Sequence, residues 1–561
     1  MELVLDEVRR LTGPNLLSDY PGAIIDVEFS GVDHNTVLAC FSEQLEHCLD
    51  SVNWESRYYH RFYENGLSIS ISANMDVLYS ACDLLELAWD CCKEALVPSN
   101  TLNFDERLDA LKRSIAEEQN EKLLEFIAAA KTENIVCLSD DDEVSLGTGP
   151  KSHTWAIDSF PYAKDINWQD YANIPIALIT GTNGKSTSVR LAAEIAKSAG
   201  YQAGVTSTDF IKVGDSIIDE GDYSGPGGAR MLLRDKRTEI AFLEVARGGL
   251  LRRGIPVNKA NAALVTNAAA DHLGQYGINT VDDIAQVKLM LGKAISDDCL
   301  LVLNADDERL AAYSSVYRVP ICWFSTNPNH PLIKNNRELA LPCVYIENSE
   351  LIYSEHSQHS MGNIKDFPMT VNGTAMHNAQ NALGVVGLCK ALNIDNHAII
   401  DGLTRFGSRP QDNPGRGNIY NINGVTVIVD FAHNAHSMQA IMDMAKNMSA
   451  GAVHVMFSHG GDRSDTEILD VADTVLALQP ATYILAEIEI YLRGREMHEI
   501  SQLVKTHLIE KGQNSNNIEC VDDPLAGTKY ALQNAQKGDL VLLFVLSDRT
   551  KVEAYLHSLS A

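Results

Sequence analysis

Residues 180–187 read Thr-Gly-Thr-Asn-Gly-Lys-Ser-Thr, and these residue types in this order suit the binding of phosphate. Gly181 and Gly184 let backbone N–H groups close around an anion. Lys185 supplies a point charge for the outer phosphates, and Ser186 offers a hydroxyl to Mg²⁺. Upstream, the apolar run from Ile176 to Ile179 predicts a strand; downstream, LAAEIAKSAG has the spacing of a helix. Strand, glycine-rich turn and helix in that order bring the positive end of the helix to the ligand. The match to G-x-x-x-x-G-K-[ST] is incomplete, because Ile179 stands where the first glycine belongs.

Further candidates follow from where the flanking elements end. AGVTST, EIAFLEVA, AALVTN and LLVLNADD read as strands separated by helical or loop-length segments, which predicts a parallel sheet with helices on both faces. Ligands of such sheets sit at the carboxyl ends of the strands, where Glu244, Thr266, Asn267, Asn304 and Asp306 fall. Thr280-Val281-Asp282-Asp283 is a capping box that starts a helix, and the apolar stripe of that helix includes Lys288. A lysine there either snorkels to the edge or is held in place for chemistry. Ala375–Leu392 reads as a helix with Asn378 and Asn381 near its start. The acidic run Asp140–Glu143 reads as a solvated loop. His433, His436, His454 and His459 lack ligand spacing and read as satisfied histidines rather than a metal site.

The chain is organised around these stretches. Residues 1–100 mix strand-like AIIDVEF and LSISISA with an apolar helix, the pattern of a small α+β unit, and residues 104–131 have one continuous helical period. SRPQDNPGRG, Ser408–Gly417, marks a boundary, after which four apolar strands alternate with helices as in a Rossmann-like unit. The expected domains are therefore 1–170, 171–409 and 410–561. The fold class is α/β and multidomain: a central P-loop domain on a parallel sheet, a C-terminal Rossmann-like domain and an α+β N-terminal domain.

A 45% apolar and 21% charged composition describes a globular protein with ample core, and the formal net charge of −30 argues against nucleic acid or an anionic membrane surface as partner. It leaves ATP open, since a few local cations suffice. No apolar leader is visible at the start, Leu540–Leu546 is too short to span a bilayer, and the cysteines lack zinc spacing. Reduced thiols in the cytoplasm are expected.

Taken together, the motifs resemble the Mur ligases, ATP-dependent amino-acid-adding enzymes. The phosphate loop has that family's TGTNGK[ST] form, which accounts for the missing glycine. GDYSGPGGAR (Gly221–Arg230), LEVARGGLLRRG (Leu243–Gly254), VTNAAADHLG (Val265–Gly274), VLNADD (Val302–Asp307) and LRGRE (Leu492–Glu496) are similar to the Mur-type half of cyanophycin synthetases. This resemblance runs over about residues 171–561, and VRRLTGPN (Val8–Asn15) is similar to the N-terminal domain of those synthetases. Cyanophycin synthetases carry an ATP-grasp domain between the two. Here Pro98–Ile166 is too short for that fold, so the chain has no complete ATP-grasp domain and one nucleotide site.

The resemblance implies roles. Gly181, Thr182, Asn183, Gly184, Lys185, Ser186 and Thr187 would bind the phosphates of ATP. Ser186 would hold one Mg²⁺, and Glu244 and His272 a second. Lys288 matches a lysine often carbamylated in the family, whose added carboxylate helps organise the metal. Asn378 and Asn381 match an adenine contact; Arg416, Asp430 and His433 match residues of the third domain that close over the nucleotide. Lys185, Glu244, His272 and Lys288 are thus the implied catalytic set. The implied activity joins a carboxylate, activated as acyl phosphate, to the amine of an amino acid or small peptide, with release of ADP. Glu487, Glu489 and Glu496 are candidates to receive a cationic amine. An ATP-binding pseudoenzyme and a folylpolyglutamate-synthase-like ligase are the alternatives. The expected partners are small-molecule amino-acid or peptide substrates, with neither nucleic acid nor membrane, and a homo-oligomer is left open.

Overall fold

The computed structural model describes residues 1–99, 101–448 and 451–560. An antiparallel sheet opens the chain, with β1 (Glu2–Leu11), β2 (Gly22–Ser30), β3 (Tyr58–Tyr63) and β4 (Gly66–Ser72) in the order β1-β2-β4-β3. The helices His34–Ser51 and Leu78–Leu96 cover one face and bury Phe41, Leu45, Leu84, Leu85 and Trp89 against it. β1 escapes the sequence pattern because it is half-solvated and carries a bulge at Asp6, where the register against β2 shifts.

The expected single helix over 104–131 is two, Phe104–Glu118 and Glu121–Thr132. Between them Asn120 leaves helical geometry and its side chain caps the second helix by accepting from the Leu123 N–H. The acidic run is not a free loop either. It forms the turn of a small sheet, β5 (Cys137–Ser139), β6 (Glu143–Leu146) and β7 (His153–Ala156). Asp140 pairs with Arg230 and Arg234, Asp141 with Arg10, and Glu143 with Arg234.

The central sheet runs through β8 (Ile176–Thr180), β9 (Ala203–Thr206), β10 (Phe210–Val213), β11 (Ser216–Glu220), β12 (Ile240–Glu244), β13 (Ala260–Val265), β14 (Ile295–Asn304), β15 (Ile321–Ser325), β16 (Cys343–Glu347), β17 (Glu350–Ser354) and β18 (Gln358–Asn363). Its order is β11-β10-β9-β12-β8-β13-β14-β15-β16-β17-β18. The stretch from β9 to β16 is parallel, with antiparallel hairpins at both edges. β8, β12 and β13 are almost wholly buried, as strands covered on both faces must be. Two apolar clusters, one on each face, complete this core.

The last sheet joins β19 (Arg416–Ile422), β20 (Val425–Asp430), β21 (Val453–Phe457), β22 (Thr482–Ala486), β23 (Ile518–Val521) and β24 (Leu540–Phe544) in the order β19-β20-β24-β21-β22-β23. The four predicted strands are its interior. β19 and β23 lie at its edges, where half-exposed sequences weaken the apolar signal. Among the described residues no helix is long and apolar enough to cross a membrane, and the cysteines are free thiols.

Candidate functional site

A cavity of about 950 Å³ opens at the carboxyl ends of β8, β12 and β13. Every residue assigned above to catalysis or nucleotide binding lines it: Gly181–Thr187, Glu244, His272, Lys288, Asn378, Asn381, Arg416, Asp430 and His433. Asn304 and Asp306 do not. Asn304 donates to the Thr266 carbonyl, and Asp306 accepts from Ser325 and Thr326, so both brace the strand ends. Glu487, Glu489 and Glu496 also lie off the cavity wall. Glu487 is buried with His498 3.8 Å away, and the third unit sends Asp462 and Arg493 to the cavity.

The phosphate loop follows from two glycines. Gly181 has φ 155°, and a Cβ there would lie 1.8 Å from Thr266 Oγ1; Gly184 has φ 85°, and its Cβ would lie 2.2 Å from Asn381 Oδ1. Only glycine lets the turn pass so close to its neighbours and enter the left-handed region. The strand end of β13 fixes the rest: Thr266 Oγ1 donates to the Asn183 carbonyl at 2.6 Å, and Asn267 Oδ1 accepts from the Asn183 N–H at 3.0 Å. The helix Lys185–Ser198 starts at once after Gly184, so its free N–H groups face the cavity. Lys185 Nζ folds back on the Gly181 and Thr182 carbonyls at 3.1 and 3.0 Å.

Glu244, the last residue of β12, is 2% exposed, and both its carboxylate oxygens are buried without a hydrogen-bond partner. Burial raises its pKa, while the charges of Lys185 and Arg416 and the adjacent Ser186 hydroxyl pull it back down. An orphaned buried carboxylate beside a phosphate loop suits a cation. Lys288 does not snorkel. It is 2% exposed near the end of the helix Val281–Leu289, whose capping box at Thr280 is present as expected. Burial, then the neighbouring Lys185 charge, hold its amine well below the usual lysine range. A neutral amine is the form that can react with an electrophile.

His272 sits in the left-handed region, φ 52°, and its Nδ1 accepts from the guanidinium of Arg463. Arginine only donates, so the neutral ring keeps its proton on Nε2. Burial and then Arg463, against a partly offsetting Asp271, bring its pKa down to about 4. Arg463 also binds Asp271 at 3.0 Å. This contact pins the third unit to the metal-ligand candidate and was not anticipated, although GGDR is visible in the sequence.

Two further bridges join the central and last units. Asn183 and Asn434 exchange side-chain amide bonds at 3.3 and 3.1 Å, and Asn183 also meets His436 Nδ1 at 2.9 Å. Asp209, just past β9, gathers Arg190, Arg549 at 3.2 Å and Arg416 at 3.9 Å. Burial alone would raise the Asp209 carboxyl, but the three guanidinium groups outweigh it and hold its pKa low. Asp209 is polar and follows a parallel strand, a signal that sequence reasoning could have used. Asp6, Glu7 and Glu28 of the first sheet also line the cavity, and no motif announces them.

The sequence matches the Mur ligase middle domain over residues 179–389 and the Mur ligase, glutamate ligase domain over residues 415–544. The cyanophycin synthetase of Crocosphaera subtropica is 32% identical over 376 residues, 66% of this chain and 42% of that protein. The chain thus spans less than half the length of that relative. The UDP-N-acetylmuramoyl-L-alanyl-D-glutamate–2,6-diaminopimelate ligase of Bacillus velezensis is 24% identical over 65% of this chain and 71% of that protein. Among solved structures, E. coli FolC in complex with DHPP and ADP shares the fold with a TM-score of 0.53 at 19% identity, covering 68% of this chain and 89% of that one.

Proposed function

The chain belongs to the Mur ligase family through its middle and C-terminal domains, and on that premise we propose that it is an ATP-dependent, ADP-forming ligase. It joins a carboxylate to the amine of an amino acid or small peptide. The observation that carries this reading is the unpartnered carboxylate of Glu244 beside the phosphate loop, in one cavity with the buried amine of Lys288. A scaffold that had lost chemistry would have no need to keep a buried carboxyl whose oxygens lack hydrogen-bond partners, which costs stability.

The reaction follows from these groups. A substrate carboxylate attacks the γ-phosphate of ATP in line, the bond to the β-phosphate oxygen breaks, and ADP leaves with an acyl phosphate formed. The amine then attacks the acyl carbon, and phosphate departs from the tetrahedral intermediate. Lys185 and the helix N-terminus hold the phosphates and offset their charge. Asn378 and Asn381 would face the base, and Arg416 and Asp430 would close over the sugar and phosphates. Ser186, Glu244 and His272 would hold Mg²⁺, with Lys288 as carbamate organising it; the metal supplies charge neutralisation on the transferring oxygens. His272 joins such a set only when Arg463 releases Nδ1. The bridges through Asn183 and Asp209, with the Arg463–Asp271 pair, close the last domain over the cavity, which keeps water from the acyl phosphate.

With one phosphate loop among the described residues, one ATP is spent per bond and one kind of amide is made. The working boundaries are 1–170, 171–409 and 410–561, and the setting is the cytoplasm. The test is ADP release by purified protein with ATP, Mg²⁺ and panels of amino acids and acidic dipeptides, with products read by mass spectrometry. A single-addition product supports the reading. No ADP release with any panel overturns the ligase, and a long two-residue copolymer overturns the single ligation.

A further inference from the structure

The first sheet does more than flank the cavity. β1 and β2 give its wall Asp6, Glu7 and Glu28, with Asp6 turned at the bulge of β1. β3 contributes Arg61, which stays outside the cavity and grips the segment that carries two of the catalytic candidates. Its guanidinium donates to the Gly277 carbonyl at 2.6 Å and the Tyr276 carbonyl at 3.4 Å, and pairs with Asp283 at 3.2 Å. Asp283 is the N3 residue of the capping box that opens the Lys288 helix; its other oxygen accepts from the Thr280 N–H at 2.9 Å. One side chain therefore ties the end of the His272 loop to the start of the Lys288 helix.

That loop needs such a brace. His272 and Tyr276 are non-glycine residues with φ 52° and 57°, and Gly274 and Gly277 have φ 87° and 63°. Each non-glycine residue in this region costs about 1 kcal/mol or more and persists only when its surroundings over-determine it. Arg247 secures the near side by donating to the His272 carbonyl at 2.6 Å and to Gln275 Oε1 at 2.9 Å. The far side is secured from the first sheet. Arg9, in a buried pair with Asp26, lies 4.8 Å over the Tyr276 ring, and the Tyr63 ring packs so close that a Cβ on Gly277 would meet it at 2.5 Å. Docking of the sheet does not depend on Arg61. The Thr12 N–H donates to the Arg253 carbonyl, the Ile255 N–H to that of Pro14, and Lys293 binds the Asn15 carbonyl at 2.7 Å.

We propose that Arg61 is a positioning residue: it fixes the loop 272–278 against the Lys288 helix, so that the first sheet sets the geometry of a reaction whose groups it does not supply. The proposal rests on the ligase reading, and it gives the first unit a part in catalysis. Its test uses the full chain with Arg61→Ala and Arg61→Lys, followed by hydrogen–deuterium exchange and by ATP-dependent ADP release. In Arg61→Ala the amides of 272–283 should exchange at least about tenfold faster while those of 181–187 stay unchanged. The rate constant kcat should fall about 10–100-fold, with the KM for ATP within about twofold. Lysine can reach Gly277 or Asp283 but not both with a planar fork, so Arg61→Lys should restore part of each effect. Unchanged exchange and kcat in the alanine variant overturn the proposal. So does faster exchange spread over the whole first sheet, which would mark Arg61 as a docking residue. If Arg61→Ala does not fold, the lysine variant decides by the same pattern. A wild-type chain that releases no ADP overturns the ligase reading and the catalytic half of this one, and the exchange pattern then decides the brace alone.

Discussion

At one end of the cavity, consecutive residues 180–187 supply the glycines, the lysine and the hydroxyls, and the helix they open supplies its N–H groups. At the other end, Asp6, Glu7 and Glu28 arrive on strands of a separate sheet, and behind that wall Arg61 reaches Asp283 across 222 positions of sequence. The first wall is made of backbone, which is set by glycine positions and a strand–helix junction. The second is made of side chains from another sheet and is braced from behind by a long side chain crossing between units, which must be ordered at an entropic cost. A backbone wall should therefore fail chemically when altered yet stay folded, whereas the crossing contacts should show themselves in stability and geometry.

The sharpest break of this contrast is Lys185→Ala. Among the described residues the hydrogen bonds of the lysine Nζ go to the Gly181 and Thr182 carbonyls, so the variant should melt close to the wild type while ADP-forming turnover drops on the order of 10³-fold. Near-normal ligation by a folded variant would remove Lys185 from the phosphate site. Lys288→Ala should lose a comparable amount. Lys288→Arg should not recover it, because a guanidinium cannot take up CO₂ as a carbamate, and a small added carboxylate should restore part of the alanine variant. If arginine works normally, the buried amine acts only as a cation.

The contrast also explains what could be read from the chain. The phosphate loop, the capping box at Thr280 and the strand-end Glu244 are local patterns, and the structure brings them to one cavity. β1, the break at Asn120 and the partners of Asp140–Glu143 were not legible. β1 is half-solvated and bulged, a single cap can split a periodic helix, and a carboxylate looks the same whether its arginine is in water or on another unit. Arg463 was in view within GGDR, but nothing in its neighbours says that it would reach His272, 191 positions away.

Asp209→Asn tests the crossing contacts between the central and last units. It leaves Arg190, 5% exposed, without its counter-charge, and Arg549 and Arg416 without theirs. Removing one member of such a cluster costs about 3 kcal/mol, read as a lowered thermal midpoint. A raised KM for ATP should accompany it, since Arg416 lines the cavity in which ATP is proposed to bind. An unchanged midpoint would mean that the arginines find water or each other's partners without loss.

Asp430 gives a smaller, pH-dependent effect. Burial brings its pKa from 3.8 up to about 6, against the pull of the Ala432 N–H and Arg416. The folded state thus binds this proton more tightly than the unfolded chain, so its contribution is fully present below pH 4 and is lost as pH rises through about 6. The difference corresponds to at most about 3 kcal/mol, and to about 2 kcal/mol once water in the cavity is allowed for. Asp430→Asn keeps the acceptor for Ala432 at 2.7 Å and removes the titration. It should therefore raise the thermal midpoint at pH 8 and leave it nearly unchanged at pH 4. An equal shift at both values would rule out the titration as its cause.

The smallest effect separates two neighbours in the acidic run. Asp140 meets Arg234 at 2.9 Å and Arg230 at 3.3 Å, side chains only 13% and 23% exposed, while the Asp142 carboxylate has no partner among the described residues. In Asp140→Asn, Oδ1 can still accept from the Asp142 and Glu143 N–H groups, so the turn survives and only the charge is lost. The expected cost is about 1 kcal/mol at low salt, shrinking as salt screens the partly exposed pair. Asp142→Asn should be silent at every ionic strength. Equal melting of both variants would make the whole run a solvated turn after all, and the hairpin would then be held to the central unit by its apolar face and by the bonds of Arg234 to Ser145 and the Leu138 carbonyl.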